Sequence, residues 1–82
     1  MRVVEHQTMK QVTVDSSAIS NFSFNYDSNL LGVVYHSNPE KCYLFSCDDI
    51  EDVEKQLMEA ESVGKTVFRL RKENVLKTYD NY

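Results

Sequence analysis

The stretch Lys41–Ser46, with the sequence KCYLFS, is followed almost at once by the acidic run Asp48–Glu51, with the sequence DDIE. Successive side chains of a strand point to opposite faces, so Tyr43 and Phe45 share one face of this stretch. The acidic run suits the first turn of a helix, where the helix dipole favours negative charge. The junction therefore predicts β structure before it and a helix after it.

The chain before this junction predicts a meander of antiparallel strands. Ile19–Tyr26 and Leu30–His36 have the character of strands, and short turns rich in Asp, Ser, Asn and Pro separate them from each other and from Lys41–Ser46. The side chains expected to share faces are Phe22, Phe24 and Tyr26 in the first, and Leu31, Val33 and Tyr35 in the second. An earlier strand is expected at Gln11–Val14, where β-branched residues dominate, with Val3-Val4 as the alternative.

Gly32 lies inside the Leu30–His36 strand. A glycine there suggests either a bulge or the close approach of something large, such as an aromatic ring on a neighbouring strand.

The apolar residues after the junction recur at spacings of three and four, which predicts one amphipathic helix. Asp48 or Asp49 begins this helix as its N-cap, and Gly64 is expected to end it because glycine takes the left-handed cap conformation without strain. The apolar stripe consists of Ile50, Val53, Leu57 and Ala60. Residues 66–77 are equally compatible with a strand and with a short helix, and residues 78–82 are expected to be a frayed tail.

Together these elements predict a single α+β domain over residues 1–82. A three- to four-stranded antiparallel meander is packed by one α-helix, and a short C-terminal strand or helix follows. A chain of 82 residues leaves no room for a separate catalytic domain. Its core is small, and two faces of aromatic strand are easier to cover by association, so we expect a homo-oligomer.

The charge of the chain is negative and unevenly distributed. A formal net charge of −4 argues against a general nucleic-acid binder, which needs a basic surplus to displace counterions from phosphates. From Asp48 to Glu61 there are seven acids and one lysine, whereas from Lys65 to Lys77 there are five basic residues and one acid. Any anion site is therefore expected to be a local basic pocket rather than a long basic track.

The two cysteines, Cys42 and Cys47, are expected to be reduced thiols, because their spacing in a strand sends them to opposite faces. We expect a cytoplasmic protein with no membrane association, since no apolar run approaches the length of a membrane span and no signal peptide is visible.

Sequence motifs for catalysis, metals or cofactors are weak. The run Ser62–Thr66, SVGKT, lacks the first glycine of a P-loop, because Glu59 occupies that position, and a helix rather than a strand precedes it. The cysteines and histidines show no metal-ligand spacing. No serine or cysteine has a positioned base. We therefore expect no enzyme activity, no metal and no cofactor.

Binding is the better prediction. Aromatic residues on two neighbouring strands, followed along the chain by basic residues, could stack a base and hold a phosphate. The candidate ligand-binding residues are Tyr35, Tyr43, Phe45, Lys65, Arg69 and Arg71. The alternative for Tyr43 and Phe45 is that their face is the core, where aromatic rings only pack.

Several short motifs, taken in order, resemble the KTSC domain, a small module named for its occurrence at the C-terminus of some lysyl-tRNA synthetases and also found in stand-alone proteins. They span about residues 14–72 and include the pattern Tyr43-Leu44-Phe45 and the element Ser62-Val63-Gly64-Lys65. The family pattern is Tyr-x-Tyr, and Phe45 keeps the ring but lacks the hydroxyl. Residues 1–11 would then be an N-terminal extension. The resemblance implies a small α+β domain, with RNA binding as the natural suggestion and no enzyme activity.

Two functions follow as expectations. The first is a non-enzymatic protein that binds a nucleotide-like anion, either an RNA segment or a small signalling nucleotide, and by analogy with small phage-encoded inhibitors sequesters it. The alternative is a protein–protein interaction module, or an inhibitor of a host enzyme, that acts through the acidic helix or an open sheet edge.

Overall fold

An antiparallel sheet of five strands, covered on one face by two helices, forms the fold. The computed structural model describes residues 9–79, so the Val3-Val4 alternative for the first strand lies outside the described residues. The strands are β1 (Met9–Thr13), β2 (Ile19–Asn25), β3 (Leu30–Tyr35), β4 (Cys42–Ser46) and β5 (Lys77–Thr78), and the helices α1 (Ile50–Met58) and α2 (Val63–Lys72) lie between β4 and β5. The strands lie side by side in chain order. The α+β class and the meander are confirmed, and the C-terminal segment that is equally compatible with a strand and with a helix contains both, α2 and β5.

The alternation of β2 and β3 places their largest apolar side chains on the face covered by the helices. Phe22 pairs with Val33 and Phe24 with Leu31 across the two strands, and all four side chains are fully buried. Phe45 of β4 continues this row beside Leu31. Burial of such side chains is worth about 1.5–3 kcal/mol each, so this face is the main source of stability.

Gly32 is a point of close approach and not a bulge. It pairs in regular register with Ser23 on one side and Leu44 on the other, and the shift in register lies between Ile19 and Asn21. A Cβ atom at Gly32 would lie only 2.7 Å from Cys42 Sγ and 3.3 Å from the Cβ of Ser23. The expected large neighbour is therefore a cysteine sulfur and not an aromatic ring.

Helix α1 begins where the acidic run predicted. Asp49 is the N-cap, and its carboxylate accepts hydrogen bonds from the backbone N–H groups of Glu51 and Asp52. These bonds satisfy donors that have no partner inside a helix, and they favour helix initiation at this point. The helix then buries Ile50, Val53 and Leu57 against the sheet.

The prediction that Gly64 ends this helix is wrong. Helix α1 ends at Met58, and Gly64 lies in the first turn of α2. The hydroxyl of Ser62 caps α2 by accepting a hydrogen bond from the backbone N–H of Lys65. A serine side chain that accepts from the third following residue starts a new helix, and this local bond separates two helices that share one continuous apolar pattern.

The open choice for residues 66–77 resolves into a helix followed by a strand. Val67 and Leu70 are buried three residues apart while Phe68 is 66% exposed, which is a helical spacing. After α2, Asn74 takes a left-handed backbone conformation with φ of 65°, and the chain turns back to bury Leu76. Thr78, expected in a frayed tail, pairs with Phe45 in β5, while residues 80–82 lie outside the described part of the chain.

A polar cluster ties the sheet to α1. The carboxylate of Glu54 accepts hydrogen bonds from the Tyr26 hydroxyl at 2.8 Å and from Lys10 Nζ at 2.9 Å. Burial, the hydrogen bond to Glu54 and the negative charges of Glu54 and Glu51 raise the pKa of Tyr26 to about 12. Burial acts to raise the pKa of Glu54, but the hydrogen bonds from Lys10 and Tyr26 and the charge of Lys10 outweigh it, so this pKa is lowered.

The helices are short and amphipathic. Neither, within residues 9–79, has the length and apolar character that a membrane crossing requires.

Candidate functional site

An open groove with a volume of about 710 Å³ lies where β4, the C-terminal half of α2 and the residues at β5 come together. Its position follows from the register, because β5 pairs only with Phe45 and Ser46 at the C-terminal end of β4. The lining residues are Tyr35, Ser37, Lys41, Cys42, Tyr43, Leu44, Phe45, Arg71, Thr78 and Tyr79.

Two of the three tyrosines that line the groove form an aromatic pair. The rings of Tyr35 and Tyr43 meet edge to face, with centroids 5.6 Å apart and planes at 71°. Both are half-buried at the margin of the core, on the same sheet face as Val33. This geometry is a favoured arrangement of aromatic pairs and holds the two rings in place.

Phe45 belongs to the core. Only 4% of its surface is exposed, and it is part of the main hydrophobic cluster. Each of the two interpretations of this aromatic face therefore applies to one residue. Phe45 packs in the core, whereas Tyr43 is partly exposed at the groove. The difference arises because β5 and α2 cover the C-terminal end of β4 and leave its beginning open.

Two cations border the groove, each beside an aromatic ring. Lys41 Nζ lies 4.9 Å from the centroid of the Tyr43 ring, and the guanidinium carbon of Arg71 lies 5.2 Å from the centroid of the Phe45 ring. Among the lining residues, all within the described part of the chain, none is Asp or Glu. The groove is thus locally positive in a protein whose formal net charge is −4.

Lys65 and Arg69, both predicted site residues, do not line this groove. Arg69 faces α1 and its own helix, donating to Gln56 Oε1 at 3.0 Å and to Glu73 Oε1 at 3.4 Å. Lys65 lies six residues before Arg71, about 9 Å along the axis at the helical rise per residue. Residues two apart on a helix point to nearly opposite sides, so Arg69 and Arg71 cannot serve one groove.

The structure adds residues that the sequence prediction did not include. Lys41 directly precedes β4. Its position two residues before Tyr43 is the sequence feature that could have identified it as a site residue. Tyr79 was expected in the frayed tail, yet its backbone N–H donates to the carbonyl oxygen of Leu44 at 2.9 Å, which brings it to the groove. Only the pairing of β5 with β4 decides this, so no local signal marks Tyr79.

The groups that could act as nucleophiles or metal ligands are not assembled here. Burial raises the pKa of both the Cys42 and the Cys47 thiol, so both are protonated at neutral pH. Within residues 9–79, no three His, Cys, Asp or Glu side chains converge in a way that could hold a metal ion.

Comparisons of this chain with protein-family models, with curated proteins and with solved structures give no match.

Proposed function

We propose that this protein is a non-enzymatic binding protein that holds a nucleotide-like anion in the groove at β4. The observation that carries the proposal is the convergence of three partly exposed tyrosines and two cations in one cavity without a lining carboxylate. Membership of the KTSC family remains a hypothesis that agrees with this function.

The dimensions favour a small ligand. A volume of about 710 Å³ falls within the range of about 300–1,000 Å³ that holds small molecules and single nucleotides. Stacking of a base on an aromatic side chain contributes about 1–3 kcal/mol, and the fork of Arg71 suits phosphate oxygens. We therefore favour a mononucleotide or a small signalling nucleotide over a long RNA, for which one groove supplies too few cations.

The test is calorimetric titration with three kinds of probe: ribonucleoside mono- and triphosphates, a cyclic dinucleotide, and a six-nucleotide RNA. Native mass spectrometry of the protein purified gently from cells shows in parallel whether it carries a nucleotide-sized adduct. We expect the mononucleotides or the cyclic dinucleotide to bind. The RNA is expected to bind with a lower affinity per nucleotide.

A pair of charge-matched variants locates the site. Reversal of Lys41 and Arg71 to Glu and reversal of Lys65 and Arg69 to Glu both change the formal net charge from −4 to −8, since each replaces two positive charges by two negative ones. The first variant is expected to weaken binding at least tenfold and the second to change it far less. Equal losses of affinity in both variants would show that only the net charge of the protein matters and would refute the groove as the binding site.

The aromatic contribution is separated by Tyr43→Leu, which keeps an apolar side chain at the margin of the core and removes the ring. We expect a loss of affinity of about five- to 150-fold, corresponding to about 1–3 kcal/mol of stacking, with no change in the salt dependence of the affinity. Unchanged affinity in this variant would rule out stacking on Tyr43.

A further inference from the structure

The sheet has a second face, which neither helix covers. The cross-strand register arranges twelve residues of β1–β4 on it in three rows. These outer-face rows are Met9, Asn25, Leu30 and Ser46; Gln11, Ser23, Gly32 and Leu44; and Thr13, Asn21, Val34 and Cys42. The alternate residues of the same strands, among them Phe22, Phe24 and Val33, lie on the opposite face in the core.

None of these twelve residues of β1–β4 is charged, and β5 adds one lysine, Lys77 beside Ser46, at the edge of the same face. Charged residues make up 27% of the chain, so twelve surface positions would carry about three at that frequency. The exposed face of a small antiparallel sheet is normally polar, and charge is depleted at the centre of protein interfaces. The absence of charge on β1–β4 is therefore a feature that this face shares with the centre of an interface.

The centre of the outer face carries no large side chain of its own. Gly32 has no side chain and Ser23 beside it has a small one, and the space over Gly32 is filled by Cys42 Sγ and a methyl group of Leu44. Leu44 and Met9 are 37% and 53% exposed. A flat centre with exposed apolar side chains lets another sheet approach to the spacing of about 10 Å at which sheets pack.

We propose that the outer face binds a second copy of this chain, so that two sheets pack back to back about a two-fold axis. Charge favours this occupant. A second copy brings an equally neutral face and leaves the acidic α1 helices on the two outer sides, away from each other. A strongly charged partner would find no opposite charge on the twelve residues.

The area predicts a dimer that dissociates on dilution. A standard interface buries about 800 Å² on each partner over some 20–30 residues, so twelve residues supply about 400 Å² on each. The total of about 800 Å² is below the roughly 1,000 Å² that a stable specific interface exceeds, so the dimer is expected to be weak and transient. Leu44 and Cys42 belong both to the outer face and to the groove, whereas Ser23 and Gly32, at the centre of the outer face, do not line the groove. The tests below use protein without added nucleotide, so their outcome is separate from that of the proposed function.

Sedimentation velocity over a range from about 1 μM to about 1 mM tests the proposal. The weight-average mass of the wild type is expected to rise from that of one chain to that of two. Ser23→Lys places a charge at the centre of the outer face and is expected to raise the dissociation constant at least tenfold, because the two-fold axis brings like charges together. A wild type that remains monomeric throughout overturns the proposal.

Phe68→Lys is the matched control. Phe68 lies on α2 and is 66% exposed, so this variant adds the same charge on the helical side of the molecule. It is expected to dimerise as the wild type does. Loss of dimerisation in Phe68→Lys but not in Ser23→Lys would place the interface on the helices and overturn the proposal.

A chemical measurement tests the proposal without any substitution on the outer face. In Cys47→Ser protein, Cys42 on the outer face is the remaining thiol. Its rate of reaction with a small disulfide reagent is expected to fall severalfold as the protein concentration passes through the range where the mass doubles. A constant rate across that range would show that association uses another surface.

Discussion

Gly32→Ala tests the close approach of β3 and β4 directly. The new Cβ would lie 2.7 Å from Cys42 Sγ, about 1 Å inside ordinary contact, and 3.3 Å from the Cβ of Ser23. Overpacking of this kind costs about 1–3 kcal/mol. Alanine recovers about 0.5–1 kcal/mol because glycine loses more backbone entropy on folding. We therefore expect a net loss of about 0.5–2 kcal/mol in the free energy of unfolding.

The cost is expected to disappear when the sulfur is removed. In a Cys42→Ala background only the 3.3 Å contact with Ser23 remains, so Gly32→Ala becomes neutral or stabilises by about 0.5 kcal/mol. The double-mutant cycle should then give a coupling energy of about 1–2 kcal/mol between the two positions. Urea unfolding of the four proteins, followed by circular dichroism at a few micromolar under reducing conditions, measures it.

Gly64→Ala is the matched control for this cycle. A Cβ at Gly64 meets only the Cβ of Ala18, at an ordinary 3.9 Å, and the position lies inside α2. Alanine there should stabilise by about 0.5–1 kcal/mol through the same backbone term. If Gly32→Ala stabilised the protein as Gly64→Ala does, or if the coupling with Cys42 were below about 0.3 kcal/mol, close approach would not be the reason for glycine at position 32.

Two further predictions concern the backbone and the pH dependence of stability. Asn74 is exposed and its backbone has a φ of 65°. Asn74→Gly should therefore leave the urea midpoint unchanged or raise it slightly, while Asn74→Ala should lower the free energy of unfolding by about 1 kcal/mol. Equal effects of the two substitutions would contradict the conformational explanation. The pKa of Glu54 is lower in the folded protein than its ordinary value of 4.5, so near that pH the unfolded chain binds more protons than the folded one. The stabilisation that the ionised Glu54 provides is therefore complete above pH 4.5 and is lost as the pH falls through the lower pKa of the folded state. Glu54→Gln should reduce the pH dependence of the free energy of unfolding in this range. If urea unfolding between about pH 3 and 6 gave the same pH dependence for Glu54→Gln and the wild type, Glu54 would not be its source.

The sheet could be predicted from local patterns because a strand shows its two faces in the sequence. The alternation through Phe22 and Phe24 identifies a buried face wherever the neighbouring strands lie, and the acidic run identifies the start of α1 through Asp49. The same local reasoning failed at Ser62, where an apolar pattern with helical spacing continues across a break. Spacing alone does not reveal that a serine hydroxyl has capped a second helix.

The grouping of the candidate site could be predicted only in part. Of the six predicted binding residues, Tyr35, Tyr43, Phe45 and Arg71 line the groove and Lys65 and Arg69 do not, and Lys41 and Tyr79 line it in addition. Nearness in sequence grouped the basic residues, whereas the direction of each side chain around α2 separates them.

The sequence by itself therefore determined β2, β3 and β4, the start of the first helix and the aromatic character of β4, because each depends on interactions within a few residues. Only the tertiary structure decided which cations meet the tyrosines, how β5 closes one end of β4, and that twelve uncharged residues share one face of the sheet. Those features depend on strand register and helix rotation, which bring together residues far apart in the chain.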